Sequence, residues 1–454
     1  MKRHPAYTMV SPWEGPAVNT SADRDGAQPV CDEVLPDQAG AGRFARGWAG
    51  RLSGEFWVLA TAALLYNVGM STYLFLYNLF MLDIGFRVSE LGLFAGATAL
   101  GSLIGTVPMM LLARRIGHRR LLLLCLLLDG VTLAVRVLVS HLDGQIAFAL
   151  LDGVLLAGWV VCITPAVASV VDADHRPSAY SVLFAVAVGG CSLGGLLGGE
   201  MPDHLRGLAV VRTALNGQRA TLLLASGLTA LAAYPVWRLR PGRAAPVRHW
   251  FTRPTPYLSR FLVGNALWGA ALGAFNPFTN VFFSRHLGAA TSHLGSFFAL
   301  AQLVQAGAVL LMPLILRRMG LVPAITLMQA VTAATLAMLA SCQGLLSAEL
   351  IYCVFMAAQH MADPALQSVM IGSVNEQDRS AATAMAYLTL SVAQAVAAPL
   401  AGYAFTNLPV PQVVVGIAVA VAASAMIFRM LLHRCSVARV WAIAEAPLAQ
   451  TEPL

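Results

Sequence analysis

The residues best suited to chemistry are an aspartate and a histidine inside an otherwise apolar stretch. Gln359, Asp363 and Gln367 recur every four residues, and His360 lies three positions before the aspartate. On a helix, residues three or four positions apart share one side. A carboxyl beside an imidazole in such a stretch can take up and release a proton. We predict a proton-transfer site at Asp363 and His360; the alternative is that Asp363 forms a structural pair with a neighbouring helix.

Asp152 is a second candidate for proton binding, because it also interrupts a long apolar stretch. Trp159 follows seven residues later, which places both side chains on the same side of a helix. The aspartate can bind a proton or a cationic substrate, and the indole offers an aromatic face to a cation. The structural alternative is that Asp152 pairs with Arg136.

Amide and hydroxyl groups recur on one side of two further apolar stretches, at spacings of four, seven and eleven residues. Pro277 lies in the second stretch and can kink its helix. Such groups either line a polar cavity or join helices by hydrogen bonds, and we predict a substrate cavity. Its predicted members are Asn67, Ser71, Asn78, Asn265, Asn276 and Asn280, joined by Trp268, Gln302, Gln305, Gln359 and Gln367.

Composition indicates that a lipid bilayer surrounds these side chains. Hydrophobic residues make up 58% of the chain and charged residues 11%, against roughly 25% charged residues in a typical soluble domain. A helix that crosses the hydrocarbon core needs about 20 apolar residues. Twelve such runs are present, and they are too long for barrel strands. We predict an all-α membrane protein with spans at 56–80, 91–113, 119–139, 145–170, 178–199, 220–238, 259–283, 293–316, 321–341, 347–372, 380–406 and 411–432.

The chain is a tandem repeat. Gly85, Leu91-Gly92 and the run from Arg114 to Gly117 each have a counterpart 203 positions later, and the second copy ends in Arg317, Arg318 and Gly320. Two copies of six spans keep the same orientation in the membrane and form two parallel halves. The predicted domains are a disordered cytoplasmic tail at 1–55, six-helix bundles at 56–238 and 259–432, a cytoplasmic linker at 239–258 and a cytoplasmic tail at 433–454.

The loop between spans 2 and 3 carries a family signature. Its sequence Arg114-Arg115-Ile116-Gly117-His118-Arg119 resembles the Asp-Arg-x-Gly-Arg-Arg loop of the Major Facilitator Superfamily, although Arg114 stands where that family usually has aspartate. A glycine here allows a tight turn with positive φ. The resemblance implies a twelve-helix transporter whose loops shape its conformational changes. The residues concerned are Arg115, Gly117 and Arg119, with Arg317, Arg318 and Gly320 in the second copy.

Span 5 is rich in glycine, including Gly194 and Gly198, and Pro399 lies in the equivalent span 11. This pattern resembles the glycine-rich span of drug:proton antiporters, which implies a hinge that gates the cavity. The alternative is that small residues let helix backbones pack closely. In the family, spans 1, 4, 7 and 10 line the central cavity. Asp129, in span 3, therefore ranks below Asp152 and Asp363.

Most of the 29 lysine and arginine residues lie in the N-terminal tail or in loops on its side of the membrane. Cytoplasmic loops carry such an excess. We therefore predict that both termini and the central linker are cytoplasmic, in a bacterial-type plasma (inner) membrane. The net charge of +7 follows from this bias and requires no nucleic-acid partner.

The sequence contains no nucleophile, phosphate-loop or metal-ligand pattern, so we expect neither an enzyme nor a bound cofactor or metal. We expect a monomer, with the lipid bilayer and a small molecule as its partners, that exports small amphipathic molecules and is powered by the proton gradient. The predicted cavity contains few cationic residues, which argues against multiply charged anions as substrates. The alternatives are an importer of a neutral nutrient in the same fold and a membrane sensor that does not transport.

Overall fold

Twelve helical spans follow one another along the chain. The structure is a computed structural model that describes residues 52–172, 175–206, 213–239, 255–371, 374 and 379–444; most of the predicted N-terminal tail and of the linker, and residues 445–454 of the predicted C-terminal tail, lie outside these ranges. The spans are α1 (Gly54–Asp83), α2 (Val88–Ile116), α3 (His118–Leu138), α4 (Leu142–Val170), α5 (Arg176–Arg206), α6 (Ala214–Leu231, continued by Ala233–Arg238), α7 (from Pro256–Phe275), α8 (Thr291–Val309, continued by Met312–Met319), α9 (Leu321–Ser341), α10 (Leu345–Ile371), α11 (Arg379–Asn407) and α12 (Val410–Ala444).

The predicted all-α membrane class is confirmed. The described residues contain no strand, and eleven of the helices are long and apolar enough to cross a bilayer. The remaining span, α7, is interrupted after Phe275 and continues as a 3-10 turn, a short α segment and a π turn that ends at His286. Pro277 lies at this break, where it has no N–H to donate. The predicted kink in the seventh span is therefore present.

The two copies of the signature loop make the same turn. Gly117 has φ 85° and Gly320 has φ 78°, a region in which glycine is far more favourable than other residues. The positive φ predicted at Gly117 is thus found in both halves. Next to the first turn, the guanidinium of Arg119 donates to the backbone carbonyls of Val236 and Trp237. This contact attaches the start of α3 to the end of α6.

Each half is a bundle of six helices. In the first half, α1 packs on α5 and α6, and α3 packs on α4 and α6; in the second, α7 packs on α11 and α12, and α9 packs on α10 and α12. Two long contacts join the halves, α2 with α11 and α5 with α8. Successive spans alternate in direction. We call the side on which α1 begins the linker face, because α6 and α7 meet the linker there, and the opposite side the far face.

Candidate functional site

A charged network is buried among α1, α2, α3 and α4. Arg136 of α3 donates to Asp152 Oδ2 of α4 at 2.6 Å and to the Tyr77 hydroxyl of α1 at 3.1 Å. Thr98 of α2 donates to the same aspartate oxygen at 3.4 Å. Arg136 and Asp152 are 4% and 1% exposed. The structural pairing considered for Asp152 is therefore present, and it is sealed inside the first half.

Tyr77 and Gln145 hold the arginine in place. The Tyr77 hydroxyl donates to Gln145 Oε1 at 2.6 Å, and Gln145 Nε2 donates to the backbone carbonyls of Arg136 and Val139 at 2.6 and 2.7 Å. The guanidinium carbon also lies 4.5 Å from the centre of the Tyr77 ring. Hydrogen bonds to charged groups are the strong ones. The cation therefore has a fixed orientation toward Asp152.

A second carboxyl, that of Asp129 on α3, completes the network. Asp129 is 2% exposed and its carboxyl interacts with that of Asp152. The Oδ1 atoms of both aspartates have no hydrogen-bond partner among the described residues. Asp129, ranked lower because its span is peripheral in the family, thus lies beside Asp152. The seven-residue spacing from Asp129 to Arg136 on one helix is the sequence signal that could have joined them.

The structure also brings together the two residues predicted for proton transfer in span 10. His360 Nδ1 lies 3.0 Å from Asp363 Oδ2, and these side chains are 29% and 55% exposed. Both lie in the half of α10 that approaches the linker face. This pair is therefore accessible, in contrast to the sealed Asp152. On the same helix Gln359 is buried and Gln367 is exposed.

Reciprocal hydrogen bonds join the halves near the far face. Asn78 Nδ2 of α1 donates to the Pro277 carbonyl at 2.6 Å, and Asn280 Nδ2 donates to the Phe75 carbonyl at 2.7 Å. An ion pair between Asp83 and Arg285 stands beside them. We call these three contacts the far-face gate. Asn78 and Asn280, both predicted to line a cavity, are thus engaged in joining α1 to α7.

Glycines bring the halves into close contact on either side of the gate. A Cβ atom added to Gly199 of α5 would lie 2.7 Å from the Gly295 Cα of α8. On the other side, a Cβ atom added to Gly402 of α11 would lie 2.9 Å from the Gly92 Cα of α2. Such distances leave no room for a side chain. The structure is therefore in a state that is closed at the far face.

The residues predicted to gate the cavity divide between two kinds of contact. Pro399 of α11 packs against Gly96 of α2, so it belongs to the interface between the halves. Gly194 and Gly198 instead pack on α1 within the first half, where added Cβ atoms would lie 2.7 Å from Ser71 Cβ and 2.6 Å from Phe75 Cδ1. In α5, the glycines that face the other half are the neighbouring Gly195 and Gly199.

A cavity of about 200 Å³ lies between the halves at mid-depth. Its described lining carries hydroxyls, amides and apolar groups but no charged side chain. Asn276 is a residue predicted for a cavity, whereas the polar residues of α2 and α11 were not predicted. The polar lining of the cavity consists of Thr98 and Ser102 on α2, Asn276 on α7, and Tyr387, Ser391 and Gln394 on α11.

Exposed polar residues mark the linker-face side of the molecule. Thr164 of α4 and Gln367 of α10 are both exposed and stand 203 positions apart, at equivalent places in the two halves. Asp363 is exposed one turn from Gln367. A polar side chain that faces lipid is costly, so such residues generally face a water-filled space. These residues are candidates for lining a water-filled space on the linker-face side, which we call the vestibule.

The other predicted cavity residues of α1 and α7 make contacts within their own halves. Asn67 Nδ2 donates to the Ala63 carbonyl at 2.7 Å, and Ser71 donates to the Cys191 carbonyl of α5 at 3.0 Å. Asn265 Nδ2 donates to the Ala386 carbonyl of α11 at 3.3 Å. The Ser71 and Asn265 contacts fit the alternative considered for the polar stripes, hydrogen bonding between helices, whereas the Asn67 amide bonds within α1.

The remaining predicted residues are dispersed. Trp159 stacks on Tyr66 with ring centres 4.1 Å apart, next to the charged network. Trp268 and Gln305 are buried in the second half, and Gln302 is half-buried. The loop arginines stand in the last turn of α2 (Arg115) and of α8 (Arg317 and Arg318).

The comparisons with known proteins agree with this architecture. A family model described as Major Facilitator Superfamily matches residues 59–358, more than half of the chain. The nucleoside transporter NupG has a similar fold, with a TM-score of 0.68, 13% identity and coverage of 84% of this chain and 99% of its own. A bacterial homologue of the human lysosomal transporter Spinster, inward-facing and unoccupied, has a TM-score of 0.69, 14% identity and coverage of 84% and 97%.

Identities this low relate these structures to the chain by fold alone, and no curated protein matches the chain. The family model, the tandem repeat, the paired glycine turns and the twelve spans nevertheless agree with one another. Parallel six-helix halves are the architecture of secondary transporters that work by alternating access. The chain therefore belongs to the Major Facilitator Superfamily.

Proposed function

We propose that the protein is a proton-coupled secondary transporter that exports small, uncharged amphipathic molecules by alternating access. The observation that carries this proposal is the position of the neutral polar cavity, which lies between the two halves and adjoins the gate. Pro277 belongs to both, because it lines the cavity and its carbonyl accepts the hydrogen bond from Asn78. A bound molecule can therefore act directly on the contact that keeps the halves together.

The lining of the cavity supports a small, neutral substrate. Its volume of about 200 Å³ is below the range of roughly 300–1,000 Å³ for pockets that hold drug-sized ligands. Amides from Asn276 and Gln394 and hydroxyls from Ser102 and Ser391 can bond to a polar end, and alanine and leucine side chains can contact an apolar end. Anions with several charges need arginine or lysine clamps, which the described lining does not supply.

Ionisable groups within the spans support the proton as the coupling ion. Asp152 lies within the first half, one side chain away from the cavity through Thr98, and the His360–Asp363 pair lies toward the proposed vestibule. These residues remain the coupling candidates, and the proton gradient is the proposed energy source, without a cofactor. We place the linker face in the cytoplasm of a bacterial-type plasma membrane, and we propose that the protein works as a monomer.

The test is transport by the purified protein in liposomes that contain a pH-sensitive dye. A panel of uncharged compounds (nucleosides, monosaccharides, aromatic amides and small amphipathic alcohols) is applied with an imposed pH gradient. Export by antiport predicts that a substrate and protons cross in opposite directions, and this sign does not depend on how the protein is inserted. A protonophore must abolish the accumulation.

Movement of substrate and protons in the same direction would replace export with the importer alternative. Absence of flux for every compound, with the protein folded in the liposomes, would reject transport of this substrate class and favour the sensor alternative. Liposomes without protein control for passive leakage, which is substantial for amphipathic compounds.

A further inference from the structure

The charged network is confined to the first half, although the second half builds the same helix pair. The helices α2, α3 and α4 begin 203 positions before α8, α9 and α10, so each network residue on these three helices has a counterpart. All the counterparts are fully buried and uncharged. Thr98, Asp129, Arg136, Gln145 and Asp152 correspond to Ala301, Thr332, Leu339, Ala348 and Phe355.

This comparison shows that the fold does not require the charges. A buried ion pair can often be replaced by packed apolar residues without loss of stability, and the second half does so with Leu339 and Phe355. Burying charges in the membrane is costly, so ionisable groups kept there are candidates for function. The network therefore calls for a role beyond packing.

The charges inside the network do not balance. The cluster contains two carboxyls, on Asp129 and Asp152, and one guanidinium, on Arg136, and all three residues are more than nine-tenths buried. With both carboxyls ionised, the cluster would carry one uncompensated negative charge in a medium of low dielectric constant. One added proton makes it neutral. Two carboxyls in contact commonly share a single proton for this reason.

The hydrogen bonds point to where that proton binds. Asp152 Oδ2 is already used by Arg136 and Thr98, whereas the Oδ1 atoms of Asp152 and Asp129 are buried without a hydrogen-bond partner among the described residues. The two carboxyl groups interact with each other, and if both are ionised they have no hydrogen to share. A proton bound to one of them makes it an O–H donor to the other and satisfies both.

The other groups around the pair are neutral tyrosines, a thiol and hydroxyls. The helix α1 contributes Tyr66, Tyr73 and Tyr77, α3 contributes Cys125, and α2 contributes Thr98, while α6 packs on α3 through Ser226 and Ala230. Tyr66 also interacts with Tyr387 of α11, which lines the cavity. Thr98, which donates to Asp152 Oδ2 and also lines the cavity, thus connects the carboxyl pair to the space between the halves.

We propose that Asp129 and Asp152 bind one proton between their Oδ1 atoms, with Arg136 as the fixed counter-cation, and that this pair is the proton-coupling site of the transporter. The assignment as a coupling site rests on the function proposed above; proton binding does not. The step is O–H bond formation on one carboxylate, with a proton from the water outside, when the far face is open, and loss of that proton to the vestibule in the state that is closed at the far face. A substrate in the cavity would act on the pair by displacing Thr98.

The test is infrared difference spectroscopy of the full-length protein in lipid nanodiscs during a pH titration. A protonated carboxyl has a C=O stretching band that shifts in D2O and disappears on ionisation. We expect one such band in the wild-type protein, lost in both Asp129→Asn and Asp152→Asn. Asp363→Asn is the matched control and keeps the band. Asp129→Glu, which preserves the carboxyl, keeps a titrating band at a shifted position.

Folding does not obscure the result, because Asp129→Asn leaves the Arg136–Asp152 ion pair intact. This variant decides the question if Asp152→Asn proves unstable. A band that persists in folded Asp129→Asn, or that disappears in Asp363→Asn, overturns the proposal. The spectrum requires no substrate. A protein that shows the band but transports nothing would contradict the proposed function alone, whereas proton-driven flux that is unchanged in Asp129→Asn would contradict this inference alone.

Discussion

Asn78 and Asn280 stand 202 positions apart and exchange hydrogen bonds between the halves, each donating its side-chain amide to a backbone carbonyl on the other side, at 2.6 and 2.7 Å. The two acceptors, Phe75 and Pro277, are separated by the same 202 positions. The far-face gate is therefore a contact with approximate twofold symmetry. The two hydrogen bonds should therefore contribute about equally to keeping the far face closed.

Replacement of one donor should loosen the gate without unfolding either half. For Asn78→Ala and for Asn280→Ala we expect a loss of about 1 kcal/mol from the closed state, or about a fivefold shift toward separation. The measurement is the distance distribution between spin labels at the exposed, equivalent positions Ser140 and Gln343, in a cysteine-free background. Asn265→Ala is the control, because its amide bonds within the second half. Equal distributions for all three variants would contradict the role of the gate.

Two glycines of α5, five positions apart, should respond differently to the same methyl group. Gly199→Ala places a Cβ atom against Gly295 of the other half, so we expect a folded protein whose far face cannot close fully. Gly194→Ala places the methyl against Ser71 inside the first half, so we expect lower thermal stability, by about 1–3 kcal/mol for overpacking. Thermal unfolding and the label distances separate the two effects. Gly227→Ala, which meets nothing within 4 Å, is the control.

The cavity can be tested against the residues that were predicted to line one. Gln394→Leu removes an amide from the cavity lining, and we expect KM to rise about fivefold for the loss of one hydrogen bond of about 1 kcal/mol. Gln302→Leu is the same exchange on α8, away from the residues that line the cavity, and should leave KM unchanged. Both are measured in liposomes with the best substrate of the panel. A rise in KM for Gln302→Leu alone would place the binding site elsewhere.

The buried network should tolerate complete replacement better than partial removal. Arg136→Leu leaves two buried carboxyls without their cation, and we expect a loss of about 3–5 kcal/mol of stability. A variant with all five second-half residues (Thr98→Ala, Asp129→Thr, Arg136→Leu, Gln145→Ala, Asp152→Phe) should regain most of it, because the two alanines make room for the phenylalanine. Chemical or thermal unfolding in one lipid composition provides the comparison. If the variant with all five substitutions is no more stable than Arg136→Leu, the network is structural.

The fold was largely predictable from the sequence, because lipid imposes simple rules on a chain. Long apolar runs have to be helices, and the matching Arg-Arg-x-Gly loops reveal the repeat. The kink at Pro277 and the positive φ at Gly117 also follow from the chemistry of single residues. The kink and the positive φ depend on local sequence alone, whereas the repeat follows from comparing two segments 203 positions apart.

The site was less predictable, because helical spacing gives the side of a helix but not the neighbour that it meets. Asn67 and Asn78 belong to one predicted polar stripe and Asn265 to another, yet Asn78 joins the halves while Asn67 and Asn265 make contacts within their own half. The lining of the cavity by α11 could not be predicted either. Tyr387, Ser391 and Gln394 share one side of α11 at spacings of four and three residues, but only the packing of α11 on α2 and α7 shows that this side meets the cavity.

Both acceptors in the far-face gate are main-chain carbonyls, which every amino acid carries. A change of side chain at Phe75 keeps its carbonyl, so that half of the bond withstands sequence drift as long as the helix stays in place. Each donor, by contrast, is the side-chain amide of one asparagine, so a single substitution removes it. Over long divergence the closure is thus robust on its acceptor side and fragile on its donor side, and two asparagine codons are where its evolutionary loss would begin.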